Sequence, residues 1–224
     1  MEFPKNPSIK ELESICLKNK EDFIVTYVYR KISIRLTKLL IKTRITPTQL
    51  NFLSFFFAIS SAIFFLSGVY RDLLIGALLL NISFILDNSD GEVARYKKMT
   101  SEFGVWNDTT LDILSSAVVF VGLTIGLYIF LESVNILIVG FIATINVLIM
   151  YTFIIRRYQK VKEYREFKFG GGRFFIGSGC AITVLLTVAA IFNKVYYFLL
   201  FWATIGTLIW IKQYFSNYKL FKSL

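Results

Sequence analysis

Histidine is absent from the 224 residues. That excludes the commonest general base and transition-metal ligand, so acid–base or metal chemistry falls to carboxylates. Cysteine is nearly as scarce. Cys16 and Cys180 lie far apart in segments of different character, which reads as two free thiols with no disulfide framework and no zinc site. The first 45 residues are charged and lack a short apolar core followed by a cleavage site, so a cleaved signal peptide is not expected. Charge is thin, at 18% of residues, and one-sided, with 25 Lys and Arg against 15 Asp and Glu.

Hydrophobic residues fill what is left. They make up 55% of the chain and aromatics 17%, with a mean hydropathy of +0.61. A soluble domain of this size is much less apolar, and several stretches approach the roughly 20 apolar residues that cross a bilayer. The expected fold class is an all-α membrane protein: six transmembrane helices preceded by an N-terminal amphipathic interfacial helix. Residues 1–45 form the juxtamembrane region, 46–212 the six-helix domain and 213–224 a cytoplasmic tail. In the first region Ile32, Ile34, Leu36, Leu39, Leu40 and Ile41 alternate with Arg30, Lys31, Arg35, Lys38 and Lys42, a pattern suited to a helix lying among headgroups. The following "TPTQ" offers Thr46 as a cap, Pro47 at the first helical position and Gln49 as a capping-box partner. Spans are expected at about 49–69, from 73 into the aspartates near Asp87, from Glu102 to Leu131, and at 134–155, 174–192 and 195–211.

Six spans put both termini on one side of the membrane, together with all but two of the Lys and Arg residues; Arg71 and Lys194 are the exceptions. Such a bias marks that side as cytoplasmic. The basic residues flank hydrophobic spans, so nucleic acid is not the expected partner. Anionic headgroups or a phosphorylated substrate fit better.

Within "LDNSDGEVARYKKMTSEFGVWNDTTLDILSS" lie Asp87, Asp90, Asp108 and Asp112. A helix advances about 100° per residue, so Asp87, Asp90, Gly91 and Ala94 share one face with Arg95 at its margin. Gly104, Asp108 and Asp112 stack on one stripe of the next helix. The short "YKKMTSEF" connection implies an antiparallel hairpin that brings the four carboxylates into one cavity near the cytoplasmic face. Each charge within a span costs about 2.5–3.5 kcal/mol, and four total on the order of 10 kcal/mol before repulsion. Cations must offset this. An all-oxygen donor set suits magnesium, manganese or calcium. Gly91, Ala94 and Gly104 leave backbone open to a ligand, and Arg95 supplies a cation for phosphate oxygens, so the pattern describes a metal-bridged diphosphate pocket.

The run Asp87-x2-Asp90-Gly91-x2-Ala94-Arg95-x8-Gly104-x3-Asp108-x3-Asp112 resembles, at every fixed position, the signature of the CDP-alcohol phosphotransferases. The resemblance implies a membrane enzyme that moves a phosphoalcohol from a CDP-linked donor to an acceptor hydroxyl, releases CMP and uses Mg2+ or Mn2+, as two ions. It implies Asp87, Asp90 and Asp108 as metal ligands, and Asp112 as a further ligand or the base for the acceptor proton. Asp112 as base is the expectation, since it lies one turn beyond Asp108. Asp90, Gly91, Ala94, Arg95 and Gly104 would hold the cytidine diphosphate. One departure stands out: Thr48 replaces an asparagine usual in relatives, and Asn51 a threonine. Donor contacts from this segment are left open.

Arg156, Arg157, Lys168 and Arg173 in the basic connection before the fifth span are expected to receive an acceptor with its own phosphate. The stretches "YRKISIRLTKLLIKTRITP", "LDNSDGEVAR" and "FGVWNDTTLD" resemble a branch that transfers inositol phosphate from CDP-inositol, and a CDP-diacylglycerol-type donor is the other expectation. A phosphorylated or lipid alcohol is the acceptor. Relatives commonly form homodimers, and Ser60, Ser61, Ala62 and Gly126 would permit close helix packing. Two other classes of membrane protein fit the sequence less well. Aspartate-rich membrane prenyltransferases use more spans and lack the Asp-Gly-x2-Ala-Arg run. A divalent-cation transporter needs acidic residues along a path through both leaflets.

Overall fold

The computed structural model describes residues 7–16, 24–161 and 179–222. Their regular structure is helical: α1 (Ile9–Cys16), a single π-helical turn (Val25–Tyr29), α2 (Arg30–Leu40), α3 (Pro47–Phe65), α4 (Tyr70–Tyr96), α5 (Glu102–Leu131), α6 (Val134–Val161), α7 (Gly179–Ile191) and α8 (Val195–Lys222). Five stretches, within α3, α4, α5, α6 and α8, are long and apolar enough to cross a membrane. The fifth expected span, 174–192, corresponds to α7, which has 13 described residues and is apolar but shorter. Helix α8 continues to Lys222, so residues 213–222, expected as a tail, extend that helix.

Local chemistry sets the helix starts. Thr46 Oγ1 accepts from the Gln49 amide at 3.2 Å, and Gln49 Oε1 accepts from the Thr46 amide at 2.9 Å. This is the capping box read from "TPTQ". Ser101 Oγ caps α5 by accepting from the Gly104 amide at 3.0 Å. The cap marks the start of the helix, along which the four-residue spacing puts Asp108 and Asp112 on one stripe.

Helix α3 is the spacer of the fold. It packs on both α4 and α5, α5 on α6, α6 on α8, and α7 on α4. Paired hydroxyls draw α3 onto α4: Ser54 Oγ donates to the Ser83 carbonyl and Ser83 Oγ to the Ser54 carbonyl, both at 2.9 Å, while Ser61 Oγ donates to the Gly76 carbonyl at 2.7 Å. Glycines draw it onto α5. A Cβ on Gly122 would stand 2.6 Å from the Ala62 carbonyl oxygen, and one on Gly126 would overlap the Phe65 carbonyl. Ser61, Ala62 and Gly126, read as residues suited to a dimer contact, are thus used inside the chain. The expected α4–α5 hairpin is antiparallel, but the two helices flank α3 instead of packing tightly on each other. Around this spacer, Phe65, Leu73, Phe120, Leu123, Leu186, Leu199 and Trp202 belong to one buried cluster.

The N-terminal segment runs along α4. Tyr29 donates to Asn81 Oδ1 at 2.6 Å and meets the Phe84 ring edge-on at 4.7 Å. Arg30 reaches Asn88 and Glu92, Thr37 reaches Glu92, and Lys97 donates to the Thr43 and Ile45 carbonyls at 2.8 Å. The segment therefore follows the second half of α4. Its inner face buries Arg30, Ser33 and Thr37 beside Ile34, while Ile32 and Leu39 are exposed beside Lys31 and Arg35.

Candidate active site

Two helices supply the acidic groups. Asp87 and Asp90 lie in the second half of α4, and Asp108 and Asp112 in the first turns of α5. Ligand oxygens of Asp87, Asp90 and Asp108 all fall within 4.8 Å of one another. Asp90 is buried, and Asp87, Asp108 and Asp112 are half-buried. Asp112 lies beside this group, within hydrogen-bond reach of Asp87 and close to Asp90 and Asp108. The four aspartates expected to converge do so, with three of them forming the tight set.

Such a trio fits a divalent cation. Carboxylate oxygens from separate helices are hard donors of the kind magnesium and manganese take, and a cation among them would offset their mutual repulsion. Geometry at Arg95 differs in detail from the sequence reading. Its guanidinium folds over Gly91, with Nη1 3.1 Å from where a Cβ on that glycine would stand. The opening at Gly91 is therefore filled by the arginine itself. Arg95 also lies close enough to Asp90 to interact electrostatically, and its Nε donates to the Cys16 carbonyl at 2.5 Å. Ala94 is half-buried on the same face of α4. Gly104, one turn before Asp108, leaves the stripe open: a Cβ there would meet only Ser101 Oγ, at 3.2 Å.

Two features were not read from the sequence. Asn51, at 4% exposure on α3, donates through Nδ2 to Asp108 Oδ1 at 3.2 Å, so the helix between α4 and α5 touches the acidic group directly. Behind the aspartate face, Glu92 is fully buried and accepts from Arg30 Nη1 at 2.6 Å, Ser33 Oγ at 2.6 Å and Thr37 Oγ1 at 2.7 Å. A signal for the second existed: Arg30, Ser33 and Thr37 recur at helical spacing on an otherwise apolar and basic helix. The expected acceptor cations are not placed. Lys168 and Arg173 lie outside the described residues, and Arg156 and Arg157 fall in the part of α6 whose side chains are not described.

The chain is 38% identical over 92 residues to the Bifunctional IPC transferase and DIPP synthase of Aquifex aeolicus, an alignment covering 41% of this chain and 20% of that protein. It is 30% identical over 92 residues to the Archaetidylinositol phosphate synthase of Pyrococcus horikoshii, covering 41% of this chain and 47% of that one. The alignments thus span a fifth to about half of these relatives' length. The fold is similar to that of the Mycobacterium tuberculosis phosphatidylinositol phosphate synthase PgsA1 solved with CDP-DAG. There the TM-score is 0.67 at 19% identity, covering 82% of this chain and 92% of that one. The form of that protein in complex with manganese and citrate gives 0.65 at 18% identity, covering 83% and 88%. Residues 44–210 match the family described as CDP-alcohol phosphatidyltransferase, and with three quarters of its length inside that match the chain belongs to this family.

Proposed function

We propose that the protein transfers a phosphoalcohol from a CDP-linked donor to an acceptor hydroxyl and releases CMP at the cytoplasmic side of the membrane. The observation that carries this is the convergence of Asp87, Asp90 and Asp108 within 4.8 Å across two helices, set beside Gly91 and Arg95. An ion path needs neither the glycine nor the arginine.

In this reading Asp87, Asp90 and Asp108 hold two Mg2+ or Mn2+ ions, with Asp112 at the margin of the set. When bound, the ions neutralise the donor diphosphate. Arg95, with Gly91, Ala94 and Gly104, holds the cytidine diphosphate. The acceptor oxygen bonds to the phosphorus that carries the alcohol, the bond from that phosphorus to the CMP oxygen breaks, and CMP leaves. Asp112 takes the acceptor proton, since no histidine exists to do so. Its position beside the three ligands, and not within their group, supports that role. An inositol-phosphate-containing donor or acceptor is the substrate class, in line with the Pyrococcus relative's name. CDP-inositol and CDP-diacylglycerol are the two donor types. Arg156, Arg157, Lys168 and Arg173 receive the acceptor phosphate. Helix α7 completes six spans, both termini are cytoplasmic, and the enzyme works as a homodimer among membrane lipids.

Thermal unfolding of the purified protein with CDP or CMP, with and without Mn2+, tests the reading. A nucleotide-dependent rise that needs the metal supports it. A rise with metal alone, unaffected by nucleotide, would favour a cation transporter.

A further inference from the structure

Arg95 sits at the margin between two faces of α4. One face carries Asp87, Asp90 and Gly91; the other carries Asn88, Glu92 and Tyr96, which meet the N-terminal segment. Helix α1 is built to dock on that second face. Ser8 and Glu11 cap it reciprocally, at 2.7 and 3.2 Å. Leu12 and Cys16, both fully buried, pack with Ile34 of α2 and with Tyr96 of α4. The Cys16 thiol lies 3.5 Å from the Glu92 carbonyl, and the Cys16 carbonyl accepts from Arg95 Nε. Docking of α1 therefore ends in a hydrogen bond to the guanidinium that overlies Gly91.

We propose that α1 is a positioning element for Arg95: its last carbonyl fixes Nε so that the guanidinium stays over Gly91 on the aspartate side, where a diphosphate would meet it. The inference rests on the donor role given to Arg95 above. An arginine side chain free to rotate would lose rotamer entropy on binding the donor. Tethering Nε removes part of that loss beforehand, which appears in donor affinity rather than in the chemical step. Leu12 and Cys16 touch no reacting group and act only through Arg95.

The test is a double-mutant cycle on the full chain. Leu12→Ala loosens α1, and Arg95→Ala removes the group it positions. The readouts are donor KM against kcat, and the CDP concentration giving half-maximal thermal stabilisation in Mn2+. Alkylation of Cys16, in a Cys180→Ser background, reports that α1 has loosened, and Leu12→Val serves as the milder variant if the alanine form does not fold. The expected result for Leu12→Ala is a rise of about tenfold in donor KM and in the CDP midpoint, the scale of one hydrogen bond to a charged group. kcat should be little changed, and Leu12→Ala should have no further effect once Arg95 is alanine. Equal effects of Leu12→Ala in the presence and absence of Arg95 would overturn the positioning role, as would a fall in kcat with donor KM unmoved. If Arg95→Ala alone leaves CDP binding intact, the donor role of Arg95 itself fails, and the inference with it.

Discussion

The amide of Asn51 donates to the carboxylate of Asp108 across 3.2 Å, from a position 4% exposed on the helix that separates α4 from α5. A hydrogen bond to one carboxylate oxygen orients the other toward a ligand, and losing such an outer-shell partner typically costs about 10–100-fold in metal affinity. Asn51→Leu keeps the bulk and removes the donor. The expected outcome is a rise of at least about tenfold in the Mn2+ concentration for half-maximal activity, with saturated activity largely recovered. A metal titration of activity checks it, and an unshifted midpoint would reduce this contact to helix packing.

Asp112 stands within hydrogen-bond reach of Asp87 but outside the tight group of Asp87, Asp90 and Asp108. Asp112→Asn should therefore abolish transfer while CDP still stabilises the protein in Mn2+. The asparagine keeps the shape and the neighbours but cannot accept the acceptor proton. Normal turnover by this variant would remove Asp112 from the base role. Loss of metal-dependent CDP binding would make it a ligand instead.

Two glycines on α5 separate packing from binding. Gly126 faces the Phe65 carbonyl so closely that a Cβ has no room, whereas a Cβ on Gly104 meets only Ser101 Oγ. Gly126→Ala should destabilise the fold by roughly 1–3 kcal/mol, the usual cost of overpacking against backbone. Gly104→Ala should leave the unfolding temperature unchanged and weaken CDP binding. Thermal unfolding of both variants, with and without nucleotide, separates the two roles.

The parts of this structure legible in the sequence are those set by local periodicity. Thr46 with Gln49 and the stripe Gly104–Asp108–Asp112 depend only on residues within a few turns of one helix, and both stand as read. What escaped depends on which helix lies opposite. Ser61, Ala62 and Gly126 signal close approach without naming the partner, so residues that fit a dimer contact served the packing of α3 instead. Arg30 reads as one more interfacial cation until Glu92 is found against it. Spacing alone also could not show that Arg95 would fill the opening left by Gly91.

Burial also changes the chemistry of Cys16. Desolvation, and after it the Glu92 charge, push its thiol up to about 11 from an ordinary value near 9. The folded form thus holds the proton across the range in which a free thiol ionises, and reactivity requires either high pH or undocking of α1. In a Cys180→Ser background, alkylation at pH 8 should be slow in the native protein and fast after unfolding. Its rate in the native protein should rise with a midpoint near pH 11. A midpoint near 9 would mean that α1 does not stay docked.

Glu92 takes three hydrogen bonds at zero exposure, one of them from Arg30, which is 6% exposed. Removing one partner of such a pair strands the other charge away from water, at a cost of roughly 3–5 kcal/mol, whereas replacing both with apolar residues is often neutral. Glu92→Ala and Arg30→Ala should each lower the unfolding temperature sharply, and Arg30→Met with Glu92→Leu should recover most of it. Activity then decides what the pair is for. If the double variant is stable but binds CDP poorly, the ion pair holds α2 in the register that α1 and Arg95 require. If it is both stable and fully active, the polar stripe on α2 serves only to seat that helix on α4, and the apolar pair seats it as well.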